Sequence, residues 1–403
     1  MVVVPAAEVL LSEEELRRYA AAVARNGGIV TGLEQELAAP VRPEECGGLG
    51  HGVSYRRDFP STGNPSTWSR RANACIDRPG TVVLVPTPLS AADLNGLLLG
   101  GVPPRFLRGL LAEGLTRESW AASAPRDGED PNWRAIPPRD PGCPTAVLGS
   151  AEYPWVLSSL SAPPVLLYYH GPLDRLLPGV GVVGSREVTS IGSSVARLAA
   201  QTAVELDAPV ISGLAAGVDE TAHRSALDAG GFTVGWLAAG LDQVAGRAAA
   251  LVGDVLDGGG LVVSEVPPGV GFSPATLMAR NRLVAASSYP LVIAEAALAS
   301  GTLAAARDAF SIGVPLLVPE PPASFRTHAN AQGLLALAGH SPRSLLRWPS
   351  RLLGEGSDPV QVANGVPSNG QELREMLKVC FWLRPRNVGE LPTGPRRLPA
   401  GSR

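Results

Sequence analysis

The sequence predicts an α/β protein built on a doubly wound, mostly parallel sheet, with a smaller, mainly helical and irregular domain before it. Two observations carry this. Short apolar runs rich in β-branched residues recur at 179–183, 208–211, 232–237, 261–263 and 290–294, each too short for a helix. Helix-length segments lie between them, such as 191–206, where Val195, Leu198, Ala199, Ala203 and Leu206 repeat at helical spacing. Strand alternating with helix is the pattern of a parallel sheet covered on both faces.

The 403 residues allow two or three domains, and the chain divides into 1–145, 146–348 and 349–403. In the first region Ser12-Glu13-Glu14-Glu15 has the form of a capping box. Leu16, Tyr19, Ala20 and Val23 then line one face of a short helix that ends at Gly27-Gly28. Residues 40–80 are rich in Gly, Pro, Ser and Arg without a sustained period and read as irregular; 80–85 reads as an isolated strand. Two short helices, 91–99 and 104–115, are joined by Gly100-Gly101-Val102-Pro103. This faintly resembles a helix-hairpin-helix module, but any helical hairpin turns in the same way. Six prolines between Pro125 and Pro144 suggest a linker, and after about Pro349 a single amphipathic helix, 371–383, precedes a Pro/Gly/Arg-rich tail.

Composition narrows the function classes. The hydrophobic share of 45% with 18% charged residues is that of a soluble protein. No apolar run is long enough to span a membrane, and Met1-Val2-Val3-Val4-Pro5 lacks the positive flank of a signal peptide, so a cytoplasmic protein is expected. A net charge of −3 argues against indiscriminate polyanion binding. Lys378 is the only lysine, so a Gly-Lys-Ser/Thr phosphate loop is excluded and a basic phosphate contact in the sheet region must be an arginine. Cys46, Cys75, Cys143 and Cys380 are scattered without Cys-x-x-Cys spacing, so free thiols and no metal are expected. Gly179-Val180-Gly181-Val182-Val183-Gly184 matches a dinucleotide fingerprint, but its valines are themselves the strand, and Ser212-Gly213 stands where that fold needs an acid. No cofactor is expected.

The residues just past each strand are the candidate site, because ligands of open parallel sheets bind outside the carboxyl ends of the strands. They are Gly184-Ser185-Arg186, Ser212 to Asp219, Ser264-Glu265 and Glu295, with Ser300-Gly301-Thr302 opening the next helix. Gly184, Gly213 and Gly217 let backbone amides approach an anion, and a helix start adds free N–H groups. Arg186 faces phosphate or pairs with a neighbour such as Glu187. Arg280 and Arg282 flank Asn281 inside an apolar helix and point in different directions, one free for phosphate and one holding the fold. Glu265 and Glu295 end buried strands and are expected to pair with these arginines. Asp219 and His223, four apart, are either an acid/base pair or a capping carboxylate with a packed histidine. No nucleophile with an adjacent base stands out, so no catalytic residue is expected.

Taken in order, Tyr153-Pro154, Pro163 to Tyr168, Val182 to Arg186, Ser212 to Asp219, Ala222-His223, Ala239 to Asp242, Ser264-Glu265, Arg280-Asn281-Arg282 and Glu295 with Ser300 to Thr302 resemble the DprA/Smf family of DNA-processing proteins, over about 153–345. The resemblance implies an extended Rossmann-like fold that binds single-stranded DNA, dimerises and delivers the strand to the RecA recombinase during transformation. It implies a DNA- or phosphate-binding set of Gly184, Ser185, Arg186, Ser212, Gly213, Gly217, Asp219, Arg280, Asn281, Arg282, Glu295, Ser300, Gly301 and Thr302.

This chain departs from the family in having Leu277-Met278 for the usual Phe-Pro and Gln243-Val244 for Tyr-Pro, and no winged helix is evident after 349. The nearest aromatic candidates for base stacking are Phe272, Tyr289 and Phe310. Two other functions remain open. One is a nucleotide-hydrolysing enzyme that resembles the LOG phosphoribohydrolases and uses Arg186 with Glu265 or Glu295. The other is a sensor of a free nucleotide.

Overall fold

The computed structural model describes residues 89–353 and 361–391. The helix expected after Ser12, the irregular stretch 40–80, the strand at 80–85, Cys46 and Cys75, and most of the Arg-rich tail lie outside the described residues. All described residues belong to one compact unit, Trp68–Arg396.

Among the described residues eight strands form one mixed sheet: β1 (Thr145–Val147), β2 (Leu166–His170), β3 (Gly179–Gly184), β4 (Val210–Ser212), β5 (Thr233–Leu237), β6 (Leu261–Ser264), β7 (Ser288–Glu295) and β8 (Leu316–Leu317). Their spatial order is β1-β2-β6-β5-β4-β3-β7-β8. Neighbours from β6 through to β8 run parallel, while β1 and β2 add an antiparallel edge. Each of the five runs read as strands from the sequence is a strand, and all of β4 to β7 is buried, which is why they show continuous apolarity instead of alternation. The strand order steps outward from β3 to β6 and then reverses, so β7 pairs on the other side of β3, with Val182 beside Val292 and Val183 beside Ile293. The gap between the ends of β3 and β7 is therefore the switch point of the sheet.

Helices fill both faces. α4 (Ser190–Glu205), α5 (Val218–Asp228) and α6 (Gly246–Asp257) connect β3 to β6, and α7 (Pro274–Ser287) and α8 (Gly301–Ser311) connect β6 to β8. Right-handed crossovers put the second group on the opposite face once the order reverses. α9 (Ala329–Leu337) follows β8, and α10 (Gly370–Trp382), the amphipathic helix expected near the C-terminus, packs on α4 and buries Leu373, Leu377 and Cys380. On the face covered by α7 and α8 the core contains Trp236, Leu261, Val263, Leu283, Ile293 and Leu303, and on the other face Leu237 and Val262 pack with Leu251 and Val255 of α6.

The helices read at 91–115 are α1 (Ala91–Leu99) and α2 (Pro104–Ala112), followed by α3 (Arg117–Ala122). Leu94, Leu97, Leu107, Leu110 and Trp120 share a core with Val165, Leu166 and Tyr168, so this layer is built onto the β1–β2 edge. The Tyr168 hydroxyl donates to Asn95 Oδ1 at 2.9 Å and closes a buried polar gap in that core. The proline-rich stretch 125–144, read as a linker, is packed instead: the Arg139 amide donates to Ala92 O at 2.9 Å, and Asn95 Nδ2 donates to Arg139 O at 2.8 Å. Prolines here fix the path of an ordered segment rather than space two bodies apart.

Candidate nucleic-acid interface

At the switch point lies a cleft of about 530 Å³. One wall is the turn after β3, Gly184-Ser185-Arg186-Glu187. A second is the start of α8, Ser300-Gly301-Thr302. A third, from α7, is apolar, formed by Pro274, Leu277 and Met278, and Asp219, Arg280 and Asn281 lie at its base. Nine of the fourteen residues expected at the site therefore line one cleft: Gly184, Ser185, Arg186, Asp219, Arg280, Asn281, Ser300, Gly301 and Thr302.

The turn after β3 is shaped by contacts from the next crossover. The Val218 amide donates to Ser185 O at 3.1 Å. Gly217, which precedes α5, has φ +87°, and a Cβ there would sit 2.3 Å from Ser185 O and 2.5 Å from Arg186 O. Only glycine meets both the backbone angle and the space. Arg186 emerges exposed from this turn and makes no ion pair with a described residue, Glu187 included. Opposite it, Ser300 caps α8 by accepting from the Leu303 amide, and Asn281 Nδ2 donates to Gly301 O at 3.1 Å, which ties α7 to the head of α8. The first-turn amides of α8 have no carbonyl partner within their own helix and carry its positive dipole end.

Arg280 lies at the base of the cleft, its side chain only 8% exposed, with Nη1 at 3.7 Å from Asp219 Oδ2 and Nε without a partner. It occupies the space that a side chain at position 213 would fill: a Cβ on Gly213 would come within 1.2 Å of Arg280 Nη1. Asp219 Oδ2 also accepts from the Gly213 amide at 3.2 Å. Burial pushes the Asp219 carboxyl up and the Arg280 guanidinium down. The two oppose these shifts in each other, and the nearby charge of Arg186 pushes Arg280 further down. Both guanidiniums line the one cleft, where their like charges disfavour one another.

The structure separates the other expected residues from this cleft. Ser212 is buried with its hydroxyl on Val182 O at 2.6 Å, a strand-to-strand tie. Arg282 pairs with Glu265, as expected of one arginine of the Arg-Asn-Arg element. Glu295 corrects the expectation of an arginine partner. It is fully buried and accepts from the Thr189 amide at 3.0 Å, the Thr189 hydroxyl at 2.7 Å and Asn330 Nδ2 at 3.2 Å, so it buttresses the start of α4. Neither glutamate lines the cleft, so the arginine–glutamate arrangement of a phosphoribohydrolase is not assembled around Arg186.

Asp219 and His223 do not form an acid/base pair: the imidazole is fully buried, with Nδ1 2.7 Å from Thr233 Oγ1. Since that hydroxyl donates to Val210 O at 2.9 Å, the ring must donate from Nδ1, and burial pushes its pKa down to about 3. The histidine is a neutral core residue. Of the three aromatic candidates, Tyr289 is buried and Phe310 packs on Trp348 with ring centroids 5.9 Å apart. Phe272 alone is exposed, beside Pro274 of the cleft. Leu277 and Met278, marked in the sequence only as a departure from the family's Phe-Pro, form an apolar wall of the cleft that no local pattern identified as such.

The fold and cleft define a Rossmann-like α/β protein with a cleft at the switch point of its sheet. Residues 145–339 match the family model described as DNA recombination-mediator protein A. Protein Smf of Synechocystis is 32% identical over 259 residues, covering 61% of each chain. DNA processing protein DprA of Streptococcus pneumoniae is 38% identical over 162 residues, 40% of this chain and 57% of that relative. The X-ray structure of DprA from the same species superposes with a TM-score of 0.50 at 25% identity, covering 71% of this chain and 93% of the other. This domain, residues 145–339, is of the DprA/Smf family. The matched stretch spans about six-tenths of the length of these two relatives. Among the described residues no helix is long and apolar enough to cross a membrane.

Proposed function

We propose that this protein binds single-stranded DNA along the carboxyl-end rim of its sheet and acts in DNA processing without a reaction of its own. It protects the strand and passes it, as a homodimer, to the RecA recombinase. The observation that carries the binding reading is the unpaired Arg186 above the buried Arg280, at a cleft headed by the N-terminus of α8. An oxyanion there meets a bidentate donor, free amides and a helix dipole together. The names of the relatives, DNA-processing proteins, supply the class of ligand.

Fluorescence anisotropy of a labelled oligo(dT) at several salt concentrations tests it. Wild type should bind more weakly as salt rises, and Arg186→Ala should flatten the slope of log K against log salt by about 0.7, the loss of one phosphate contact on a single strand. No binding by wild type at low salt would overturn the reading. The dimer and the RecA step have their own checks: sedimentation velocity, and the rate of RecA filament growth on strands coated with single-strand-binding protein.

A further inference from the structure

A second charged cluster sits on the same rim, on the other side of α7. Arg280 and Arg282 are two residues apart and so leave the helix in different directions, Arg280 into the cleft and Arg282 to Glu265 just past β6. There Arg108, from α2 of the helical layer, and Tyr153 complete a group whose members all act on one another electrostatically. The segment leading into β2 holds two of them: Arg108 Nη1 donates to Pro163 O at 3.3 Å, and the Tyr153 hydroxyl donates to Pro164 O at 2.8 Å.

Asp308, paired with Arg307, also acts on Arg282, so the three guanidiniums of Arg108, Arg282 and Arg307 face two carboxylates, Glu265 and Asp308, and one positive charge is in excess. Its polar capacity is also unmet, since Glu265 Oε1 and Arg282 Nη1 have no partner. Arg108 itself makes no ion pair with a described residue. β6 lies three strands from β3, so the cluster is roughly 14 Å along the rim from the cleft, at about 4.8 Å per strand. A few nucleotides of extended chain cover that distance.

We propose that Arg108 is a second phosphate contact: a single strand seated in the cleft continues across the carboxyl edge of the sheet to the Arg108–Arg282 cluster, so the helical layer takes part in binding. This rests on the single-stranded DNA reading above. A short oligonucleotide fills the cleft alone, and only a longer one reaches Arg108.

Anisotropy with oligo(dT) of increasing length separates the possibilities. Arg108→Ala should bind the shortest oligonucleotides as wild type does and lose about tenfold in affinity for long ones, the usual cost of one charged hydrogen-bonded contact. Its salt slope on long strands should fall by about 0.7, and Arg108→Lys, which keeps the charge, should retain the slope. Arg108→Gln replaces the alanine variant if that one melts early. Equal affinity of Arg108→Ala and wild type at every length would overturn the proposal. So would an equal loss on short and long strands, the mark of a purely structural role. Failure of wild type to bind any length would instead remove the functional reading on which the proposal stands.

Discussion

His223 shows how burial converts a titratable residue into a structural one. Its imidazole titrates at about 3 in the fold, against 6.5 for the free side chain, because the charged form is denied water and faces Arg280. The unfolded chain therefore takes up a proton that the native chain refuses. The stabilisation is complete above pH 6.5 and is lost as pH falls toward 3, at about 1.4 kcal/mol per unit. Wild type should lose about 2 kcal/mol of unfolding free energy between pH 6.5 and 5 from this residue, as read by urea titration. His223→Gln should show a flatter profile across that window; an unchanged slope would mean that the histidine is already solvated in the native state. Arg280 presents the complementary case. A buried guanidinium at 3.7 Å from its carboxylate, with Nε unpartnered, is incompletely paired, and that deficit is what the proposed phosphate contact would use.

At the scale of elements, the turn after β3 depends on what α5 places beneath it. Gly217→Ala brings a methyl group against two carbonyl oxygens at a positive φ, so the turn must shift. The cost should be about 1–3 kcal/mol in a thermal or urea melt. Since Ser185 and Arg186 ride on those carbonyls, affinity for oligo(dT) should fall as well, by more than stability alone explains at a temperature where the variant is fully folded. An alanine variant with wild-type stability and binding would show that the turn is not held from below. Pro274 illustrates the opposite situation: it stands at the first position of α7 behind the capping Ser273, where a missing N–H costs nothing.

Across the whole molecule, α10 closes the sheet domain by lying on α4, and two kinds of contact hold it. Arg374 and Glu205 pair at 3.2 Å but are 40% and 49% exposed, whereas Leu377 is fully buried. Leu377→Ala should cost about 2–5 kcal/mol, and Arg374→Ala less than about 1 kcal/mol, in equilibrium unfolding. The reverse ranking would mean that the helix is held by its charges. The same logic applies at the other edge of the sheet, where Trp120 and Leu107 bind the helical layer to β2 and so bring Arg108 to the rim.

What the sequence alone determined were the strands, the helices between them and the residues beyond each strand end. These are local properties: period, β-branching and turn chemistry act within a few residues. The order Gly184-Ser185-Arg186, Arg280-Asn281-Arg282, Ser300-Gly301-Thr302 was legible for the same reason, and so was the family. Only the tertiary structure decided which of two arginines faces the cleft, that Glu295 is held by Thr189 and Asn330 instead of an arginine, and that the proline-rich stretch 125–144 is packed. Each of these rests on partners tens to more than a hundred residues away. Pairing at such range is set by strand order and crossover handedness, which no local pattern records.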